Sequence, residues 1–246
     1  MNIIFGNFGN PTVALMQWAR ARQLTDVYVV SIDTGWAAQA WQSRVDAAEI
    51  LAVQYGFQVV RLQAPANFSE LITLRGSFPT TKLQWCAGFL KGSTLLTWLD
   101  EIDVKNEATI LLAHRKKASR INYDLTEKVE ASDFYGERRV WYPLLETSDD
   151  ELKKLVEETG LDWLSHRSLE CDPCVNNSNA DHRRMAKADV MKTQALEASM
   201  ESPMFSVLPK DSNIEHVVQW ARKKSEPAAS DEQFDMGCGS PYGCGM

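Results

Sequence analysis

The stretch Asn2-Ile3-Ile4-Phe5-Gly6-Asn7-Phe8-Gly9-Asn10-Pro11-Thr12-Val13-Ala14-Leu15-Met16 decides the fold. Asn2 to Phe5 reads as a short buried strand, which Gly6 ends, and Asn7 to Pro11 reads as a tight turn. From Thr12 the period changes. Val13, Leu15, Met16, Trp18 and Ala19 fall on one broad helical face, with Asn10 as N-cap and Pro11 as the first helical residue. The expectation is strand, tight loop, helix.

The same alternation continues outward. Val27-Tyr28-Val29-Val30-Ser31-Ile32 is a β-branched run of strand length closed by Asp33-Thr34-Gly35; a helix from about Ala37 to Tyr55 and a third strand from Gln58 to Leu62 follow. Ala64 to Thr81 is looser; Leu83-Gln84-Trp85-Cys86 follows, then a helical stretch to about Ile102. Ala108 to Ala113 is a buried strand leading into the basic loop His114-Arg115-Lys116-Lys117-Ala118-Ser119-Arg120, and Val140 to Leu145 holds another short strand. Ser148 and Glu151 form a capping box. Strands alternating with helices imply an α/β fold: a doubly wound, mainly parallel, Rossmann-like sheet with helices on both faces. Beyond Arg167 the chain changes character. A Cys pair is followed by a polar helix (about Ala180 to Ser199), a second helix (about Ile214 to Lys224) and a Gly/Cys-rich tail. A core domain over 1–166 with a helical, Cys-containing extension over 167–246 is expected.

The charge balance narrows the partners. With 26 Lys and Arg against 33 Asp and Glu, the 246 residues carry a net charge of −7. A chain that grips a nucleic-acid backbone alone is usually basic, so DNA, if it is involved, is expected to be held by a partner. No basic n-region with an apolar core opens the chain, and no apolar run reaches the length of a membrane span. A cytoplasmic location without membrane contact is expected. In a reducing compartment the five cysteines point to metal or thiol chemistry rather than disulfides.

A glycine-bearing loop between the first strand and first helix of an open parallel sheet is suited to phosphates. Backbone N–H groups converge there, and the helix dipole adds partial positive charge. The segment Phe5 to Leu15 resembles the PP-loop of adenine nucleotide alpha-hydrolase-like proteins, written SGGKDSxxL. Gly9 and the Thr12 hydroxyl match, while Asn10 and Pro11 stand where the motif has lysine and aspartate. Four further segments keep the family order. Asp33-Thr34-Gly35 resembles the end of its second strand, and Trp85-Cys86-Ala87-Gly88-Phe89-Leu90-Lys91 resembles the WCxxxLK segment of PAPS reductase-like proteins. The loop holding Arg115, Ser119 and Arg120 resembles the GxRxxES loop, and Tyr142-Pro143-Leu144 with Thr147 resembles PLxxWT. Cys171-Asp172-Pro173-Cys174-Val175-Asn176 resembles the CxPCxN of a phage and bacterial branch.

The resemblance implies an adenine nucleotide, ATP or adenylyl sulfate, with Mg2+ where phosphates are cleaved. Gly6, Asn7, Phe8, Gly9, Asn10 and Thr12 would cradle its phosphates, Asp33, Thr34 and Gly35 would hold its adenosine, and Lys91, Arg115 and Arg120 would carry the chemistry. Arginine forks after a buried strand also suit oxyanions on their own account.

Cys171 and Cys174 form a CxxC, whose two thiols one tight turn aims the same way. Cys86, Cys238 and Cys244 are available as further ligands. An iron–sulfur (4Fe-4S) cluster, zinc and a redox or sulfur-carrying thiol pair all suit this set. Three functions follow from the resemblance: an ATP pyrophosphatase-type adenylating enzyme in sulfur transfer, a sulfonucleotide reductase, and a non-catalytic nucleotide-binding scaffold. The first has DNA phosphorothioation as one setting, with a cysteine desulfurase and other sulfur-transfer subunits as partners.

Overall fold

Alternation along the first strand sets the layering of the molecule. In β1 (Asn2–Phe5), Ile3 and Phe5 join one buried cluster and Ile4 the other. In β2 (Val27–Asp33), Val30 and Ile32 join the first cluster, and Val27 and Val29 the second. Both faces of these strands are therefore covered, as a parallel sheet requires. The structure is a computed structural model that describes residues 1–118, 124–205, 213–223 and 241–242.

Six strands form one sheet in the order β3-β2-β1-β4-β6-β5, with β3 Gln58–Gln63, β4 Thr109–Leu111, β5 Lys128–Ser132 and β6 Arg138–Trp141. Every neighbouring pair is parallel except β5 with β6. One face packs against α1 (Asn10–Ala21), α2 (Trp41–Gln54) and, after β6, α6 (Asp149–Glu157) through residues such as Val13, Leu51, Leu152 and Val156. The other face carries α3 (Phe68–Arg75), a single turn α4 (Trp85–Ala87) and α5 (Ser93–Ile102). In the C-terminal part, α7 (Asn179–Arg184), α8 (Lys187–Met200) and α9 (Ile214–Lys223) follow; Met185 just after α7, Leu196 in α8 and Val217 in α9 join this same cluster. The chain leaves β1 toward β2 and β3 on one side and returns as β4 on the other. That reversal falls between β1 and β4, and ligands of such sheets sit beyond the carboxyl ends of the strands.

The expected doubly wound, mainly parallel sheet is observed. Local departures have physical reasons. The stretch read as loose holds α3, started by a capping box between Asn67 and Glu70 and stopped by Gly76 in the left-handed region. The helical stretch expected after Cys86 and up to about Ile102 includes a π-helical turn, Gly88–Gly92, that carries Lys91. The polar C-terminal helix divides at Met185 and Ala186 into α7 and α8. The antiparallel edge strand β5 was not expected; its sequence, Lys-Val-Glu-Ala-Ser, is too polar to declare itself.

Candidate nucleotide and thiol site

The loop after β1 is shaped by what surrounds it. Gly6 donates its N–H to Val30 O (3.1 Å), extending the sheet, and a Cβ at Gly6 would lie 2.3 Å from Thr12 Oγ1. Only glycine allows the chain to pass Thr12 this closely. Phe8 follows with φ +61, a left-handed conformation that phenylalanine rarely adopts. Two contacts hold it there. Its ring is buried in the core, and its carbonyl accepts from Arg44 Nε (3.1 Å). Arg44 Nη1 also donates to Asp162 O (2.9 Å), and burial lowers the guanidinium pKa against the pull of Asp162. Asn10 is not the N-cap of α1. Gly9 takes that position, and the Asn10 carboxamide pairs in both directions with the Leu164 backbone, at 2.8 and 3.0 Å.

Asn7 turns its side chain inward. Its Oδ1 accepts from Gly9 N–H (3.0 Å) and from the Thr12 hydroxyl (3.5 Å), while its Nδ2 donates to Glu170 Oε1 (2.9 Å). Beside the loop lies a polar cavity of about 270 Å³, lined among others by Asn7, Phe8, Ser31, Asp33, Thr34, Gly35, Gln42, Arg61 and Glu170. Asp33 accepts from Gly35 N–H (2.8 Å). Gly35 sits at φ +63, and a Cβ there would come within 2.4 Å of Asn67 Cβ. Ser31 Oγ is buried and has no hydrogen-bond partner among the described residues. A buried hydroxyl without a protein partner on the wall of a cavity invites a polar ligand or water.

A second, narrower cavity of about 30 Å³ lies behind the first, lined by Cys86, Cys171, Cys174, Lys91, Arg167 and apolar residues including Phe68 and Val175. Thr34 and Glu170 line both cavities and so form their shared wall. Thr34 Oγ1 donates to Glu170 O (2.9 Å) and lies 3.4 Å from Cys171 Sγ. Lys91 Nζ donates to Glu170 Oε1 at 2.5 Å, and both side chains are almost fully buried. The segment around Glu170 is laid against residues 34–38 by Ala38 N–H to Leu169 O, Asp172 N–H to Trp36 O and Trp36 Nε1 to Pro173 O. This crossing brings the CxxC to the sheet's carboxyl edge.

Of the residues singled out in the sequence, Asn7, Phe8, Asp33, Thr34 and Gly35 meet at the polar cavity; Lys91, Cys86, Cys171 and Cys174 meet at the thiol cavity. Arg115 lines neither. Its Nη1 donates to Asp149 Oδ1 (2.6 Å) and Thr147 O (3.3 Å), tying β4 to the start of α6, and Lys116 forms an ion pair with Glu146. Arg120, Ser119, Cys238 and Cys244 lie outside the described residues. Among the described residues no three His, Cys, Asp or Glu side chains converge closely enough to hold a metal ion. The three described thiols, Cys86, Cys171 and Cys174, line one cavity. Among the described residues, no helix is long and apolar enough to cross a membrane.

Glu170, Ser31 and Arg44 carried no signal in the sequence. Glu170 is one acidic residue beside the CxxC, Ser31 sits inside a strand run, and Arg44 is one cation on a helix. Only their placement gives them meaning.

The fold is adenine nucleotide alpha-hydrolase-like: a mostly parallel six-stranded sheet with a crevice at the carboxyl ends of β1 and β2. No protein-family model matches the sequence, and no curated protein matches it. Among solved structures the chain is similar to NMN synthetase from Francisella tularensis. The identity is 10%, covering 93% of this chain and 89% of that one, with a TM-score of 0.50. It is also similar to a phosphoadenylyl-sulfate (PAPS) reductase from Candida auris, solved as a phosphate complex. There the identity is 14%, over 66% of this chain and 75% of that one, at a TM-score of 0.46. An NH3-dependent NAD synthetase from Campylobacter jejuni is 14% identical over 92% of this chain and 88% of that one, at a TM-score of 0.42.

Proposed function

We propose that this protein is an adenylating enzyme of the ATP pyrophosphatase type that works in sulfur transfer. The observation that carries the reading is the shared wall: Thr34 and Glu170 line both the polar cavity beside the first loop and the thiol-lined cavity. A nucleotide in the first cavity would place its α-phosphate within reach of chemistry in the second. An acceptor oxygen attacks the α-phosphorus, the bond to the β-phosphate oxygen breaks, and pyrophosphate leaves with the electron pair. The acceptor then carries AMP, a good leaving group, which a persulfide sulfur displaces. A cysteine desulfurase would supply that sulfur. Mg2+ would travel with the triphosphate, as this ion binds mainly through phosphates and water.

Gly6, Asn7, Gly9 and Thr12 shape the phosphate end, Ser31, Asp33 and Gly35 the nucleoside end, and Lys91 offers charge to the α-phosphate. Cys86, Cys171 and Cys174 are the described thiols in position to receive sulfur. The net charge of −7 suits a subunit whose acceptor, with the DNA backbone as one candidate, is held by a partner. The test is release of pyrophosphate from ATP by the full chain, alone and with a cysteine desulfurase and DNA. Release in any combination is expected; none in all of them removes the reading.

A second reading has its own observation. Three loop amides already have acceptors within the protein: Gly6 N–H on Val30 O, Asn7 N–H on Thr12 Oγ1 and Gly9 N–H on Asn7 Oδ1. With the motif's lysine and aspartate replaced, this favours a subunit that binds a nucleotide without turning it over. Calorimetric binding of ATP with no pyrophosphate release would select it.

A further inference from the structure

We infer that Glu170 is a built-in counter-anion that restricts the site to phosphates carried by a nucleoside and excludes free inorganic phosphate and sulfate. The inference rests on the reading of the polar cavity as a nucleotide site and names what sets its selectivity.

Glu170 holds the position that an incoming phosphate needs. One oxygen, Oε1, accepts from both Lys91 Nζ (2.5 Å) and Asn7 Nδ2 (2.9 Å). Asn7 in turn places its Oδ1 on Gly9 N–H, at the start of α1. The carboxylate and the Asn7 carboxamide thus satisfy the two groups best suited to a phosphate oxygen: the buried ammonium and the amide at the helix start. Glu170 cannot easily turn away, because its own backbone is held on both sides. Its carbonyl accepts from Thr34 Oγ1 (2.9 Å), and its N–H donates to Ser168 Oγ (3.2 Å).

A small oxyanion entering this corner meets a like charge already paired to the lysine. Replacing one anion by another on Lys91 gains little, and the displaced carboxylate would lose its partner in a buried place. A nucleotide differs, because its nucleoside part gains separately from the cavity that Ser31, Asp33 and Gly35 line, and that gain can drive the exchange. Like-charge juxtaposition is a recognised source of specificity. Glu170 is therefore a specificity-determining residue acting through charge.

The test uses the full chain, as wild type, Glu170→Gln and the double variant Glu170→Gln with Lys91→Met, titrated calorimetrically with adenosine, ATP and inorganic phosphate. Glutamine keeps an acceptor oxygen for Asn7 and removes only the charge. The wild type is expected to bind adenosine and ATP but not phosphate. Glu170→Gln should bind phosphate measurably and ATP roughly tenfold more tightly, the order of change for removing a like charge next to a buried ligand. The double variant buries no unpaired charge, and its phosphate binding should vanish again. Should Glu170→Gln bind ATP unchanged or more weakly and still reject phosphate while adenosine binds, this inference falls and the nucleotide reading stands. Absence of adenosine and ATP binding in all three proteins overturns both. Where Glu170→Gln is too unstable to titrate, rescue of its melting temperature by phosphate but not by equal ionic strength of chloride supports the inference. Equal rescue by both overturns it.

Discussion

Two buried histidines make the stability of this protein fall as the medium becomes acidic. His114 and His182 are 6% and 3% exposed, and burial lowers each imidazole from the usual 6.5 to about 4. Both ring nitrogens of His182 lack a hydrogen-bond partner among the described residues, and its ring stands edge-on to Phe205 at 4.6 Å. The folded protein therefore keeps these rings neutral. Below about pH 6.5 the unfolded chain takes up protons on both, while the folded chain waits until about 4. The stability present above pH 6.5 is lost through that window at roughly 1.4 kcal/mol per pH unit per histidine. Asp172 works the other way. Burial raises its carboxyl to about 6, so the folded state takes up its proton first and gains stability as pH falls through 6.

From pH 6.5 to pH 5 the two histidines remove roughly 4 kcal/mol and Asp172 returns roughly 1.4, a net loss of about 2–3 kcal/mol. Urea denaturation at pH 7 and pH 5, for the wild type and for His182→Leu, measures it. Leucine keeps an apolar contact with Phe205 and removes one titration, so the pH-dependent loss should shrink by about 2 kcal/mol. Other titrating groups are common to both proteins and cancel in the comparison. An identical loss in the variant, or a wild type that gains stability toward pH 5, would refute the reasoning.

Two further outcomes concern packing. Arg138 is fully buried and donates to Asp103 Oδ2 (2.8 Å) and to the carbonyls of Leu99, Asp103 and Tyr135. Arg138→Leu leaves the Asp103 carboxylate buried without its cation and is expected to lower unfolding free energy by about 3–5 kcal/mol in chemical denaturation; a loss below about 1 kcal/mol would show that the pair is dispensable. Gly92 closes the π-helical turn, and a Cβ there would lie 2.5 Å from the Tyr242 ring, which also packs near Tyr135. Gly92→Ala should destabilise by about 1–3 kcal/mol. In a Tyr242→Ala background the same change should become neutral or stabilising, by up to about 1 kcal/mol, and a penalty that persists there would disprove the contact.

The order of elements was open to reading because each rests on local chemistry. Ile3 to Phe5 can only be buried, Gly6 and Gly9 mark the turn, and the 3.6-residue period from Val13 needs no distant partner to be seen. The same holds for the Ser148–Glu151 capping box, which forms as read. Local chemistry also hides things. The π-helical turn that carries Lys91 ends at Gly92, which meets Tyr242 from the far end of the chain, and β5 becomes a strand only because β6 offers an edge.

What the sequence alone determined is therefore the parallel sheet and the position of its first loop, since both follow from period and turn residues within short windows. Which side chains face one another across the crevice was decided by tertiary structure. Glu170 lies 163 residues from Asn7 and 79 from Lys91, yet one of its oxygens bonds both. Arg115 is a second case: nothing in its local sequence foretold the ion pair it makes with Asp149, 34 residues on. Through-space electrostatics is blind to chain separation, so the charges that govern this site became readable only once the C-terminal segment had crossed the ends of the strands.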